Sequence, residues 1–294
     1  MIELKNVTKT FDETVALKNV DLTLEEGAVY GLTGSNGSGK STMLRLLSGV
    51  YTCDSGSILI DGEEAYDNHK IKEECYYVSD FPFFFSDSTL DKMANLLRKM
   101  YANWDEEKYN SLIERFNLNR KQKINNFSKG MQRQASLILA FSTKPKYLFM
   151  DEIFDGLDPV VRKSLKRMIA EAVADENMTC LIASHNLREV DDICDKLVLI
   201  HNGEIVENKD TDTLKESLNK IQIAFTQTPD GDVFNEIDCE ILSQTGGYFV
   251  IMAKGDITEI SAKLNELNPA FMEVISTSLE EVFIDRLEEQ GYGK

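Results

Sequence analysis

Nine consecutive residues, Gly34-Ser35-Asn36-Gly37-Ser38-Gly39-Lys40-Ser41-Thr42, have the types and spacing to hold a nucleoside triphosphate. Glycines let successive backbone N–H groups turn toward one anion, and a helix starting at the end of the run adds the positive end of its dipole. Lys40 is then expected to reach the β- and γ-phosphates, and Ser41 to ligate Mg²⁺. Both flanks fit. Ala28-Val29-Tyr30-Gly31-Leu32-Thr33 is a short, mostly apolar run, as a buried parallel strand requires, and Met43-Leu44-Arg45-Leu46-Leu47 continues with helical spacing. The plainer alternative is a glycine turn with a solvated lysine, and the strand and helix on either side argue against it.

Four further elements could complete a hydrolytic site. Leu148-Phe149-Met150-Asp151-Glu152 is a buried strand ending in two carboxylates, where Asp151 can hold the Mg²⁺ shell and Glu152 can orient and deprotonate a water. Taken alone, a solvated strand end looks the same. Asn126-Phe127-Ser128-Lys129-Gly130-Met131-Gln132-Arg133-Gln134 opens a helix 23 residues before Asp151, counted from Ser128. Ser128 at the cap and Gly130 make a second anion site or an ordinary helix cap. Gly156-Leu157-Asp158-Pro159 is a turn with proline near a helix start. His185 lies 34 residues beyond Asp151, just past a strand ending at Ala183, where strand ends of this fold class present ligand-binding groups.

The elements that must position these groups read as an α/β fold of the phosphate-loop type, a parallel sheet core with an antiparallel edge. The edge comes from alternating stretches at residues 2–7 and 16–24. A helical insert occupies about residues 81–145, where Leu90, Met93, Ala94 and Leu97, then Tyr109, Leu112, Ile113 and Phe116, recur at three and four. Strands at 147–150 and 179–183 are joined by a helix over 159–174, as a right-handed crossover demands. Asn202-Gly203 between two apolar runs predicts a tight hairpin that closes the core. The first domain is placed at residues 1–210. After a polar stretch, residues 218–294 are expected to form a small α+β accessory domain, with strands at 221–225 and 248–253 and a helix at 257–267.

The chain has 294 residues and a net charge of −18, with 16 acidic against 6 basic residues from 211 onward. That charge opposes binding to nucleic acid or to an anionic membrane surface, so no nucleic-acid partner is expected and membrane contact is expected through a protein. Cys53, Cys75, Cys180, Cys194 and Cys239 have no metal spacing and an odd count, which suits reduced thiols in a cytoplasmic protein. No apolar run reaches the ~18 residues of a membrane span, and the first residues lack the shape of a signal peptide.

Taken together, the phosphate loop, the Ser128–Gly130 segment, Asp151-Glu152, Gly156-Leu157-Asp158-Pro159 and His185 resemble the nucleotide-binding subunit of ATP-binding cassette (ABC) transporters, over roughly residues 1–210. The resemblance implies an ATPase with Mg·ATP that pairs as a homodimer or with a related ATPase subunit and drives a separate transmembrane permease from the inner face of the cell membrane. It implies that Phe11 stacks on adenine, Asp151 serves the magnesium shell, Glu152 is the catalytic glutamate and His185 contacts the γ-phosphate. Ser128 and Gly130 would complete the phosphate site of the opposing subunit, with Asp158 at the seam.

Three positions depart from the family pattern. Phe127-Ser128-Lys129-Gly130-Met131 stands where L-S-G-G-Q is usual, a form similar to the subgroup that works with ABC-2-type permeases, including antibiotic and peptide exporters. Ile153 replaces the proline after the catalytic glutamate. Asp80 stands where the family's magnesium- and permease-contacting glutamine is expected; it can still ligate Mg²⁺, with added negative charge and slower hydrolysis or altered coupling as the expected result. Phe81-Pro82-Phe83-Phe84-Phe85 falls where the family docks its permease, or else forms a buried aromatic cluster. Tyr101-Ala102-Asn103-Trp104-Asp105 and the tail from Ile275 to Phe283, expected as a short capping helix, resemble the same subgroup. Two competing readings are a soluble ABC-type ATPase acting on ribosomes or DNA, and a slow-turnover regulatory ATP-binding module. The transported substrate, its direction and homodimer versus heterodimer are not legible in these residues.

Overall fold

A computed structural model describes residues 1–227, 234–235 and 237–289, and among the described residues fourteen strands and ten α-helices account for most of the chain. It divides into two units, Met1–Asn208 and Lys209–Lys294.

In the first unit, strands β1 (Ile2–Phe11), β2 (Thr14–Leu24), β4 (Ser55–Ile60) and β5 (Glu63–Glu64) form an antiparallel sheet of order β2-β1-β4-β5. Strands β3 (Val29–Thr33), β6 (Cys75–Val78), β7 (Tyr147–Asp151), β8 (Thr179–Ser184), β9 (Lys196–His201) and β10 (Glu204–Asp210) form the second sheet, of order β10-β9-β3-β8-β7-β6. The pairs β3–β8, β3–β9, β7–β8 and β6–β7 are all parallel. Parallel strands covered on both faces must be apolar throughout, and β3, β7 and β8 are buried at every residue. Their alternation sorts the faces: Tyr30, Leu32, Tyr147, Phe149, Leu181, Ala183, Val198 and Ile200 share one core with the antiparallel sheet and with Met43, Leu44, Leu46 and Leu47 of α1 (Lys40–Leu47). The phosphate-loop helix is thus packed in the core that joins the two sheets.

Helix α2 (His69–Glu74) precedes β6, and helices α3 (Leu90–Met100), α4 (Glu106–Phe116) and α5 (Lys129–Ser142) lie between β6 and β7. The Tyr101–Asp105 segment has a structural role here: it links α3 to α4, with Asp105 capping α4 through Lys108 N and Trp104 Nε1 donating to Glu106. Helix α6 (Pro159–Glu176) crosses from β7 to β8, and α7 (Leu187–Asp191) follows β8. Asn202-Gly203 forms the β9–β10 turn with φ of 48° and 79°, the positive values a two-residue hairpin loop needs. Strands β4 and β6 lie where the sequence reading states no element; β4 is short and half exposed, so its alternation is faint.

The second unit holds α8 (Thr211–Glu216), β11 (Leu218–Ala224), β12 (Cys239–Thr245), β13 (Tyr248–Lys254), α9 (Ile257–Glu266), β14 (Phe271–Ile275) and α10 (Leu279–Glu289). Its sheet is antiparallel, of order β12-β13-β11-β14, with Ile221, Ile223, Phe249, Ile251, Ile260 and Leu264 in its core. The tail differs from expectation: Ile275 ends β14, and the helix starts four residues later. Residues 290–294 of the expected accessory domain, with 228–233 and 236, lie outside the described residues. No described helix is long and apolar enough to cross a membrane.

Candidate functional site

The loop from Gly34 to Gly39 joins the end of β3 to the start of α1. Two of its glycines are required by close approach. A Cβ at Gly34 would sit 2.2 Å from the Ile200 carbonyl oxygen, and one at Gly39, with φ of 113°, would sit 2.6 Å from that of Ala16. No side chain caps α1, so its first-turn N–H groups keep their capacity for an anion, and the buried Ser38 hydroxyl has no partner. Lys40 is 6% exposed and donates to the carbonyls of Gly34 (2.8 Å) and Ser35 (3.1 Å). Burial pushes its ammonium below the ordinary lysine range, opposed by the charges of Glu152 and Asp151.

Asp151 ends β7 and is 1% exposed. Both its oxygens are engaged: Ser41 Oγ donates to Oδ1 and Tyr77 OH to Oδ2, each at 3.0 Å. Ser41 and Asp151, 110 residues apart, are therefore brought together, and their oxygens are the hard donors that magnesium prefers. Tyr77, on β6, is a residue the sequence reading does not single out. Burial followed by the Asp151 charge pushes its phenol up to about 12, with the nearby Arg45 guanidinium opposing.

The next residue, Glu152, has φ of 46°, a left-handed conformation that a side chain adopts at a cost of about 1–2 kcal/mol. Its N–H donates to Ala183 O at 3.0 Å, beside the β7–β8 pairing. Its carboxylate Oε2 lies 2.9 Å from His185 Nδ1 and accepts from the His185 backbone N–H at 3.3 Å. The structure thus brings Glu152 and His185 into one pair at the ends of β7 and β8. His185 is the more exposed partner, 47% against 16% for Glu152.

Other residues singled out in the sequence sit apart from this cluster. Ser128 Oγ caps α5, accepting from Met131 N at 3.3 Å, and Gly130 lies in the first turn of that helix. Asp158 caps α6, accepting from Val160 N (3.0 Å) and Val161 N (3.1 Å). Phe11, at the end of β1, is 39% exposed and stands edge-on to Tyr51 with centroids 5.3 Å apart. Asn36, Gly37 and Thr42 complete the loop and the start of α1. Asp80, the third residue expected as a magnesium ligand, is paired with Arg133 Nη2 at 2.6 Å, and no described hydrogen bond joins it to Ser41 or Asp151. The aromatic run after it is not a buried cluster: Phe81 and Phe83 are each 81% exposed and Phe85 57%. A cleft of about 320 Å³ opens between Asp80, Phe81, Pro82, Gly130, Arg133 and Gly156.

The family model described as ABC transporter matches residues 17–155. The chain is 34% identical over 287 residues to the ABC transporter ATP-binding protein YtrB of Bacillus subtilis (strain 168), covering 97% of both chains. It is 30% identical over 230 residues to the lantibiotic transport ATP-binding protein SrtF of Streptococcus pyogenes, over 76% of this chain and 98% of that one. A solved ATP-binding subunit of an ABC transporter matches with a TM-score of 0.68 and 26% identity, over 74% of this chain and 92% of that chain. The phosphate-loop α/β architecture is that of an ATP-binding cassette. With so close a relative along nearly its whole length, the chain belongs to the family of ABC transporter ATP-binding proteins, the ATPase subunits of those transporters.

Proposed function

We propose that two copies of this chain, or one copy and a related ATPase subunit, close around two Mg·ATP and drive a separate transmembrane permease that exports its substrate. The observation that carries this reading is the adjacency of two pairs, Ser41–Asp151 and Glu152–His185, at the carboxyl ends of β3, β7 and β8. A consecutive Asp-Glu with one member facing the phosphate-loop serine and the other a histidine suits water attack on a γ-phosphate. The exporter assignment rests on the likeness to the lantibiotic transport protein and on the subgroup resemblance.

In this reading residues 34–42 wrap the triphosphate, and Lys40 exchanges the carbonyls of Gly34 and Ser35 for β- and γ-phosphate oxygens. Ser41 and Asp151 bring together two hard oxygen donors of the kind magnesium prefers, and would hold the ion. The ion supplies charge neutralisation to the phosphates when bound. Glu152 takes the proton of the attacking water through Oε1, which no described hydrogen bond engages, while Oε2 stays with the two donors on residue 185. His185 donates Nε2–H to the γ-phosphate, either as an imidazolium with Nδ1–H still on Glu152, or as the Nε2 tautomer once that bond is released. Phe11 stacks on the base. Ser128 and Gly130 present their helix start to the partner's γ-phosphate, and Asp158 lies at the seam, so one subunit alone turns over slowly.

The subunit then works at the inner face of the membrane, through the permease, with exposed Phe81 and Phe83 as docking side chains. The test is Mg²⁺-dependent phosphate release by the purified subunit alone and with its transmembrane permease. Stimulation by the permease, abolished by Lys40→Ala, supports the reading. Release that is unaffected by Lys40→Ala, or co-purification with ribosomes rather than membranes, overturns it.

A further inference from the structure

Arg133 lies five residues into α5 from its Ser128 cap, and its guanidinium reaches two other parts of the chain at once. Nη2 donates to the Asp80 carboxylate Oδ1 at 2.6 Å and to the Asp80 carbonyl at 3.0 Å, and Nη1 donates to the Glu152 carbonyl at 3.1 Å. The side chain is largely buried, 13% exposed, against 30% for Asp80. A planar fork that satisfies three acceptors on two segments is a task for arginine, since lysine offers a single point charge.

Glu152 gives that contact its consequence. Its left-handed backbone is a strained state that persists only if its surroundings hold it from several sides. Ala183 holds its N–H, residue 185 its carboxylate, and its carbonyl accepts from both Asp155 N at 3.3 Å and Arg133 Nη1 at 3.1 Å. The Asp155 tie is local to the turn after β7, whereas the Arg133 tie comes from α5, a separate element. At its other end it grips Asp80, immediately before the exposed Phe81 and Phe83. Burial raises the Asp80 carboxyl, Arg133 opposes that, and Asp151 and Asp155 add to it, so the carboxylate depends on its arginine.

We propose that Arg133 is a positioning residue for Glu152, and that the Asp80–Arg133 ion pair makes that positioning responsive to the 81–85 segment. Asp80 serves this latch and not the magnesium shell. A glutamine at position 80 could accept one hydrogen bond from Arg133 but could not neutralise it. This rests on the proposed hydrolytic role of Glu152 and adds a link between the surface aromatic segment and that residue.

The test uses the full chain with Asp80→Asn, Arg133→Gln and the double variant. Phosphate release is measured against ATP and Mg²⁺, and backbone hydrogen exchange at residues 79–85 and 151–154 is followed without nucleotide. Each single variant is expected to lower kcat about tenfold, the equivalent of ~1.4 kcal/mol. KM for ATP and half-saturating Mg²⁺ stay within about twofold, because neither residue touches the phosphates or the ion. The double variant should be no worse than either single one, and exchange should quicken in both segments. A large rise in half-saturating Mg²⁺ with Asp80→Asn alone would make Asp80 a metal ligand and overturn the latch, as would additive losses or unchanged exchange at 151–154. If the unaltered chain releases no phosphate, the hydrolytic reading fails, while the exchange data still decide whether the latch exists.

Discussion

Replacing Tyr77 with phenylalanine removes one oxygen and leaves the Asp151 carboxylate with a single donor. Asp151 is buried to 1% exposure, so water cannot take the vacated place on Oδ2 without opening the strand ends. A hydrogen bond to a charged acceptor contributes about 1.5–3 kcal/mol, and the buried carboxylate loses it while its own desolvation cost remains. For a domain of this size each kcal/mol moves Tm by about 2–4 °C, so Tyr77→Phe should melt roughly 3–12 °C below the natural chain. The phenol, pushed up to about 12, remains a donor across the working pH range, and the deficit should be flat between pH 6 and 9. Thermal melts without nucleotide provide the assay, and Mg²⁺-dependent phosphate release provides the functional companion: a misdirected Asp151 should lower kcat as well. A Tyr77→Phe protein that melts within 1 °C of the natural chain would refute the claim that Tyr77 holds Asp151.

Two other perturbations probe separate parts of the molecule. His185→Ala removes the ring on Glu152 Oε2 and the donor proposed for the γ-phosphate. It should lower kcat about 10²-fold with ATP affinity nearly unchanged, as loss of one transition-state donor does elsewhere; a fall in affinity with kcat preserved would contradict this role. Asp61 is held well below the ordinary carboxylate range because, although burial pushes it up, hydrogen bonds from Lys146, the amino terminus and Tyr147 together outweigh that. A carboxyl depressed in the folded state contributes stability above its unfolded value of about 4, and that contribution is lost as pH falls toward the folded value. Asp61→Asn should therefore be less stable than the natural chain in urea at pH 7, with the gap closing at pH 3 and below. A gap that is constant with pH would contradict the assignment.

What was legible in the sequence was local. The phosphate loop announces itself because three glycines, Lys40 and Ser41 act within one turn of chain, and the continuous apolar runs of β3, β7 and β8 mark strands covered on both faces. Asn202-Gly203 is legible for the same reason, since positive φ at two successive positions restricts the residues allowed. What was not legible is contact across distance. Tyr77 reaches Asp151 over 74 residues and Arg133 reaches Asp80 over 53, and no spacing rule connects them. Arg133 stood inside the segment singled out for Ser128 and Gly130, yet its charge there reads equally well as a solvated helix face. Asp80 is legible from its place in a family pattern, and that pattern does not reveal the arginine that engages its carboxylate. In the second unit, β12 is exposed along nearly its whole length, so the alternation that would reveal it is missing.

The composite site is the claim on which the rest depends, and mass under trapping conditions tests it most directly. Glu152→Gln should bind Mg·ATP without releasing phosphate, and light scattering in excess nucleotide should report a particle of twice the 33.3 kDa subunit mass, reverting to one subunit when ATP is removed or Ser128 is replaced by arginine. A Glu152→Gln protein saturated with ATP that remains a single subunit, with or without a related ATPase subunit, would contradict the account.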